Sequence, residues 1–334
     1  MQSFIDQEYF THFFSSIFNT VRFSEKEKLM EEIFDFFAHK TDIFVDSDFA
    51  EILSSLDKSI QQPVSTLFFT QLTTGRNGNK IYTGQQNKFR ELRRVDIYSK
   101  LKIPFASFWL GKDYNFPVTK YSEKNPYIFI SKDNDVKEWS KISRKHTFWI
   151  GKTENINKEE VLTSWEMLKP FAHQYKDIII SDRYCLKDET GIRKNILPVI
   201  SNLSLSPELI SNVIFFAKPG MLFNNSLADT HELISEQLLQ YNIKANVTIY
   251  VSHKTPHDRY IITNNYFIKS GDSFDYFNAG GKLKTKGTHL SINPVFDANK
   301  TELNELLRTL KEIRIKSSED MYYGSKSKCI LDLI

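Results

Sequence analysis

The chain has 334 residues, 40% hydrophobic and 25% charged, with 44 Lys and Arg against 41 Asp and Glu. That length is ample for two domains with conventional cores, and the composition excludes a disordered or fibrous chain. A formal charge of +3 excludes a uniformly basic nucleic-acid binder, so any basic surface must be local.

Residues 3–40 have the spacing of helices: Phe10, Phe13, Phe14 and Ile17 recur on one face, and Ser24 with Glu27 forms a capping box before "EKEKLMEEIFDFFAHK". "DIFV" (42–45) reads as a strand and "DSDFAEILSSLDKSI" as a helix opened by an Asp or Ser cap. "VSTLFFTQL" (64–72) and "KIYTG" (80–84) read as strands around the turn-rich "TTGRNGNK", and "FASFWL", "YIFIS" and "HTFWIG" as further strands. Residues 1–155 are therefore expected to form a mixed α+β domain that supplies recognition or contacts to a partner protein.

A seam is expected near 151–158, in the polar "GKTENINKEE", before a helix through "EEVLTSWEMLKPFAHQY". Beyond it the pattern becomes regular. "DIIIS", "NVIFFAK" and "NVTIYVS" are strands, separated by helices over "ETGIRKNILPVISNLS" and "ADTHELISEQLLQYNI". "RYIITNNYFIKSG" reads as a hairpin turning on Asn264-Asn265, since Asn tolerates positive φ, and "NKTELNELLRTLKEIRIK" as a last helix. This alternation predicts an α/β layer fold with a largely parallel sheet.

Residues 253–277, "HKTPHDRYIITNNYFIKSGDSFDYF", carry the densest chemistry. Pro256 ends the preceding strand region and forces extended geometry before it, so His257 falls at a strand start. By the two-residue period His257, Arg259 and Ile261 share one face. An imidazole beside a guanidinium suits a phosphate: His acts as nucleophile or acid, and Arg holds two oxygens at once. The alternative is that His257 and Arg259 merely cap and salt-bridge a strand end with Asp258.

The order His-Asp-Arg, short strand, Asn-Asn, "FIKSG", "DSFDYF" resembles the C-terminal, phospholipase-D-like domain of MIT-domain-containing proteins. It is also similar to the His-Asp-Arg segment of bacterial phospholipase-D-like proteins. "KDIIISDRYCL" resembles the strand-plus-Asp-aromatic element that opens such domains, so the resemblance runs from about residue 165 to the C-terminus and says nothing of residues 1–150. It implies that residues 156–334 form an α/β/α sandwich of the phospholipase-D type.

The superfamily signature is His-x-Lys-x4-Asp with a following Gly-Ser turn. His257 matches the His, Arg259 stands at the Lys, Asn264 at the Asp, and Gly271 and Ser273 lie near the Gly-Ser position, offset by Asp272. The resemblance thus implies catalytic roles for His257, Arg259, Asn264 and Ser273. It implies a metal-independent, cofactor-free reaction through a phosphohistidine, needing two motifs in one pocket and hence a homodimer. Arg for Lys keeps the charge and changes its geometry; Asn for Asp removes a carboxylate. In the MIT-associated relatives a similarly degenerate motif goes with phosphoinositide binding. In bacterial relatives the fold goes with nucleases, often in antiviral contexts. Nucleic acid is the expected ligand, with phosphoinositide headgroups or anionic membrane as the alternative.

Other residues join as phosphate-binding candidates. Asp182 and Arg183 follow "IIIS" at a strand end, where α/β sheets gather ligands, though a cap and a surface charge explain them too. His253 and Lys254 add positive charge or end a solvated loop. Lys269 points to phosphate or to solvent. Lys282 and Lys284, with Lys286, form either a phosphate rail or a protected strand edge. Lys88 with Arg90, Arg93 and Arg94 of "FRELRR" makes a basic face that suits nucleic acid, though a solvated helix face is the commoner meaning. Asp46 with Asp48, and Asp133 with Asp135, are carboxylate pairs that would bind Mg²⁺ if their strands were adjacent, and otherwise serve as helix caps. Cys185 and Cys329 have no metal spacing and read as reduced thiols. With no basic n-region and cleavage site at the start, a cytoplasmic location is expected.

Overall fold

The computed structural model describes residues 1–19, 25–74, 81–85, 97, 101, 103–111, 121–122, 124–151, 160–284 and 286–334. The chain divides into two compact units, Met1–Ser143 and Arg144–Ile334. Among the described residues no helix is long and apolar enough to cross a membrane. The "FRELRR" face, most of "TTGRNGNK" and the Ser24 end of the capping box lie outside the described residues.

In the first unit, strands β1 (Gln2–Ile5), β2 (Asp42–Val45), β3 (Ile81–Tyr82), β4 (Ala106–Leu110) and β5 (Ile128–Ser131) form a sheet in the order β3-β2-β1-β4-β5. Every described pairing is parallel, so this unit is α/β and not the α+β domain expected. Two assignments differ from the sequence pattern. Residues 2–5 form β1 ahead of helix α1 (Gln7–Asn19), and residues 64–72 lie inside a helix.

The topology explains the second change. Parallel neighbours β2 and β3 need a crossover, which is built from α3 (Phe49–Ser54) and α4 (Lys58–Thr74). Ile60 and Val64, four apart, are both buried in α4, which overrides the β preference of its Val, Thr and Phe residues. The unit also holds helices α2 (Glu25–His39) and α5 (Asp135–Ile142). One sheet face carries a ring ladder through Tyr82, Phe44, Phe4, Phe108 and Phe129, with successive centroids 4.6 to 5.1 Å apart. On the other face Trp109 meets Phe37 and Trp139.

The second unit holds β6 (His146–Ile150), β7 (Glu160–Val161), β8 (Asp177–Ser181), β9 (Asn212–Ala217), β10 (Asn246–Val251), β11 (Arg259–Thr263), β12 (Tyr266–Ser270), β13 (Thr288–Pro294) and β14 (Tyr322–Gly324). Their sheet order is β14-β10-β9-β8-β11-β12-β13-β6-β7. The unit begins ahead of the expected boundary at 155/156 because β6 pairs with β13 across residues 146–150. The expected helix over 159–175 is instead the short strand β7 and a 3-10 turn over Trp165–Phe171, which ends near Pro170.

This sheet is mixed and not largely parallel. β8, β9 and β10 run parallel at its centre, joined by helical crossovers, while β11, β12 and β13 form an antiparallel meander against β8. One crossover is a π-helical segment Gly191–Ile196 continuing into α6 (Leu197–Leu203); the other is α7 (Leu227–Gln240).

One face of the sheet buries Ile178, Ile180, Val213, Phe215, Ile249 and Ile261 against Ile196, Val199, Ile234 and Leu238. Each such side chain contributes about 1.5–3 kcal/mol of transfer free energy. The opposite face meets α8 (Lys300–Lys316), whose Glu302 accepts hydrogen bonds from Tyr260 Oη and Lys269 Nζ. The hairpin turn at Asn264-Asn265 forms where the sequence places it, but neither residue adopts positive φ. Instead Thr263 Oγ1 accepts the Asn265 and Tyr266 N–H groups at 3.2 and 2.8 Å, so a hydroxyl closes the turn.

Candidate functional site

The C-terminal ends of β8, β9, β10 and β12 share one edge of the mixed sheet with the starts of β11 and β13. Asp182, immediately after β8, is fully buried there. Its Oδ1 accepts the Tyr184 N–H, and its Oδ2 accepts both the Ser273 Oγ–H and the Phe274 N–H, all at 2.8 Å. Burial pushes its carboxyl above the ordinary range, against the pull of these hydrogen bonds and of the Arg259 charge. Asp182 and Ser273 thus spend their side-chain oxygens on bonds within the fold. They are not the phosphate ligand and catalytic hydroxyl expected; they tie the turn after β12 to the end of β8.

Arg259, the first residue of β11, is 8% exposed. Its Nη1 donates to the Gly271 carbonyl at 3.3 Å, and its Nη2 lies 3.9 Å from Asp272 Oδ1. The guanidinium carbon is 6.0 Å from the centre of the Tyr184 ring. Among the described residues the buried Nε has no hydrogen-bond partner. Gly271 lets the turn pass close to Thr288, whose Oγ1 a Cβ at this position would crowd.

His257 is exposed on a bend two residues ahead of β11, so the strand alternation that was to align it with Arg259 does not reach it. The structure keeps it on the same edge by another device. Thr255, buried in the loop between β10 and β11, donates its hydroxyl to Ala217 O at 3.0 Å, and its carbonyl accepts from Arg183 Nε at 2.8 Å. Arg183 therefore positions the loop that carries His257, its Nε committed to a carbonyl. His253 and Lys254 are exposed on the same loop, as a solvated segment of this edge.

Three candidates fall away from the site. Asn264 is buried at the opposite edge, where its Oδ1 accepts the Lys176 and Asp177 N–H groups at 3.0 and 3.1 Å. A five-residue strand separates it from Arg259, so its role is to cap the start of β8 and not to catalyse. Lys269 pairs in register with Tyr260, the neighbour of Arg259, and so faces the other side of the sheet, bonded to Glu302 at 2.6 Å. Lys284 is held by Asp275 at 2.9 Å, which removes it from the expected rail. Lys282 remains exposed.

Asp272 and Lys286 complete the edge, and sequence reasoning gave Asp272 no role. Lys286 Nζ lies 3.4 Å from Asp272 Oδ2 and 2.9 Å from Asp275 Oδ1. Burial alone would lower its pKa, but the two carboxylates outweigh it and hold the ammonium above the ordinary lysine value. The signal available in the sequence was spacing: Asp272 is the residue inserted between Gly271 and Ser273.

In the first unit the carboxylate pairs do not meet. β2 and β5 are separated by β1 and β4. Asp46 Oδ1 accepts the Gln7 N–H at 2.9 Å, Asp48 caps α3 with Glu51, and Asp135 accepts from Tyr9 Oη at 3.2 Å. Among the described residues no group of His, Cys, Asp or Glu is placed to hold a metal ion. Holding helix starts explains Asp46 and Asp48, the Tyr9 hydroxyl occupies the buried Asp135, and Asp133 is exposed.

No protein-family model matches the chain, and no curated protein matches its sequence.

Proposed function

We propose that the C-terminal unit, a phospholipase-D-like α/β/α sandwich, binds a phosphodiester of nucleic acid at the edge carrying His257 and Arg259. The observation that supports it is the guanidinium of Arg259, buried yet left with an unpartnered Nε, beside an exposed imidazole loop. A buried cationic donor without an acceptor is costly, and an anion reaching it removes that cost. The sheet architecture favours the same edge, since ligands of α/β folds gather beyond the carboxyl ends of parallel strands.

Binding is the part of the proposal that one copy of this chain can perform. Cleavage of the phospholipase-D type needs two imidazoles. His257 attacks phosphorus, an N–P bond forms as the P–O bond to the leaving group breaks, and a second imidazole protonates the leaving oxygen. That imidazole then takes a proton from the water that breaks the N–P bond. We assign this nuclease reaction to a two-fold dimer in which two copies of His257 face one pocket.

The test incubates the whole protein with plasmid, single-stranded DNA and RNA in EDTA, beside His257→Ala and Arg259→Leu, with phosphoinositide vesicles assayed in parallel. Nucleic-acid binding that needs Arg259, with cleavage that needs His257, supports the proposal. A folded Arg259→Leu protein that binds nucleic acid as tightly as the parent overturns it. Headgroup-selective vesicle binding without nucleic-acid binding replaces it with a lipid-binding module.

A further inference from the structure

Arg259 and Lys286 enter the same turn from different strands' ends and never touch each other in the hydrogen-bond network; one carboxylate lies between them. Asp272 Oδ1 is 3.9 Å from Arg259 Nη2, and its Oδ2 is 3.4 Å from Lys286 Nζ. Both separations exceed those of tight charge-assisted hydrogen bonds, which close to about 2.7–2.9 Å. The Asp272 side chain is 35% exposed, against 9% for that of Arg259 and 20% for that of Lys286. Two cations set back from solvent thus share one loosely held, solvent-facing anion. The backbone carries the carboxylate to this place: Ser273 N–H donates to Asp272 Oδ1 at 2.7 Å, and Gly271 allows the close turn against Thr288.

We infer that Asp272 is a built-in stand-in for the ligand's phosphate, and that a phosphodiester binds by displacing it and taking Arg259 and Lys286 together. This rests on the phosphodiester reading above and adds to it a second cation, Lys286, and a competitor, Asp272. A phosphodiester offers two unesterified oxygens carrying one charge, as a carboxylate does, so the exchange conserves charge at the turn. It also allows a better fit, because an incoming group is not tethered to the backbone that holds Asp272 at 3.9 Å from the guanidinium. Asp275, 2.9 Å from Lys286, keeps that ammonium oriented while Asp272 is displaced. The consequence is selective. An anion too weak to outcompete a tethered carboxylate is refused, and the empty site does not leave the buried Arg259 guanidinium without a nearby carboxylate.

The experiment measures affinity of the whole protein for a fluorescent single-stranded DNA oligonucleotide at fixed salt. The variants are Asp272→Asn, Lys286→Gln, Arg259→Leu and, as a control of equal charge change, Asp258→Asn. Asn keeps the oxygen that accepts from Ser273 N–H, so the turn survives; thermal unfolding of each variant verifies it. Asp272→Asn should bind about tenfold tighter and Lys286→Gln about tenfold weaker, with Asp258→Asn shifted by less than about twofold. If Asp272→Asn binds no tighter, or gains no more than Asp258→Asn, the stand-in is overturned even where Arg259→Leu abolishes binding and the phosphodiester reading survives. If Arg259→Leu binds like the parent, the phosphodiester reading falls and the inference falls with it.

Discussion

Ser273 Oγ donates to Asp182 Oδ2 at 2.8 Å across 91 residues of chain. That single bond closes the meander's last turn onto the end of β8, and the same carboxylate also holds the Phe274 N–H. Asp182→Ala would leave a buried hydroxyl, the buried Phe274 N–H and the half-buried Tyr184 N–H without their acceptor. A loss of about 3–5 kcal/mol follows, measured by denaturant unfolding of the whole chain. A variant that keeps its stability and loses only binding would show that Asp182 contacts ligand after all.

His257 is the opposite case. It is exposed and ahead of the strand, so His257→Ala should change stability by no more than about 0.5 kcal/mol. If the proposed two-copy site is right, cleavage should fall at least about 100-fold, because the variant would remove both nucleophile and proton donor. Sedimentation of the parent as a monomer at working concentration, with cleavage retained, would contradict the two-copy site.

Asn264 separates structure from chemistry along one strand. Its Oδ1 holds two N–H groups at the start of β8, at the edge away from Arg259. Asn264→Ala should cost about 1–3 kcal/mol of stability and leave oligonucleotide affinity of the folded protein unchanged. Lost affinity at full stability would return Asn264 to the site.

How far these roles could be read from the sequence depended on range. Strands β8 to β12 and their helices were legible because each is a short apolar run punctuated by Asp, Asn, Pro or Gly, so local pattern and final burial agree. Residues 64–72 misled because their β-branched and aromatic content is a local preference, while the parallel pairing of β2 with β3 is a demand of the whole sheet. At the site, proximity in sequence put His257, Arg259 and Asn264 together, yet a strand carries its first and last residues to opposite edges. Asp272 and Lys286 meet only because β12 and β13 are neighbours, a pairing the residue types do not encode.

Asp6 gives a prediction for the first unit that owes nothing to ligand. It stands between β1 and α1, nearly fully buried, with Oδ1 accepting the Tyr9 N–H at 2.7 Å and Oδ2 the Gly111 N–H at 2.6 Å. Burial is the largest influence on its carboxyl and raises it from 3.8 to about 6; the two hydrogen bonds oppose this, and the nearby Asp46 and Glu8 carboxylates add to it. Between about pH 4 and pH 6 the folded chain therefore holds a proton at Asp6 that the unfolded chain has released. More protons bound in the folded state means that stability falls as pH rises through this window and levels off above it. The fall is on the order of 3 kcal/mol, at about 1.4 kcal/mol per pKa unit. Asp46, also raised by burial, adds to the same trend. Asp6→Asn cannot titrate, so the difference in stability between parent and variant should drift by that amount between pH 4 and pH 6.5. Hydrogen exchange of the β1 and β4 amides in the whole protein reads it locally. A difference that stays flat across the window would mean that Asp6 ionises freely in the folded state.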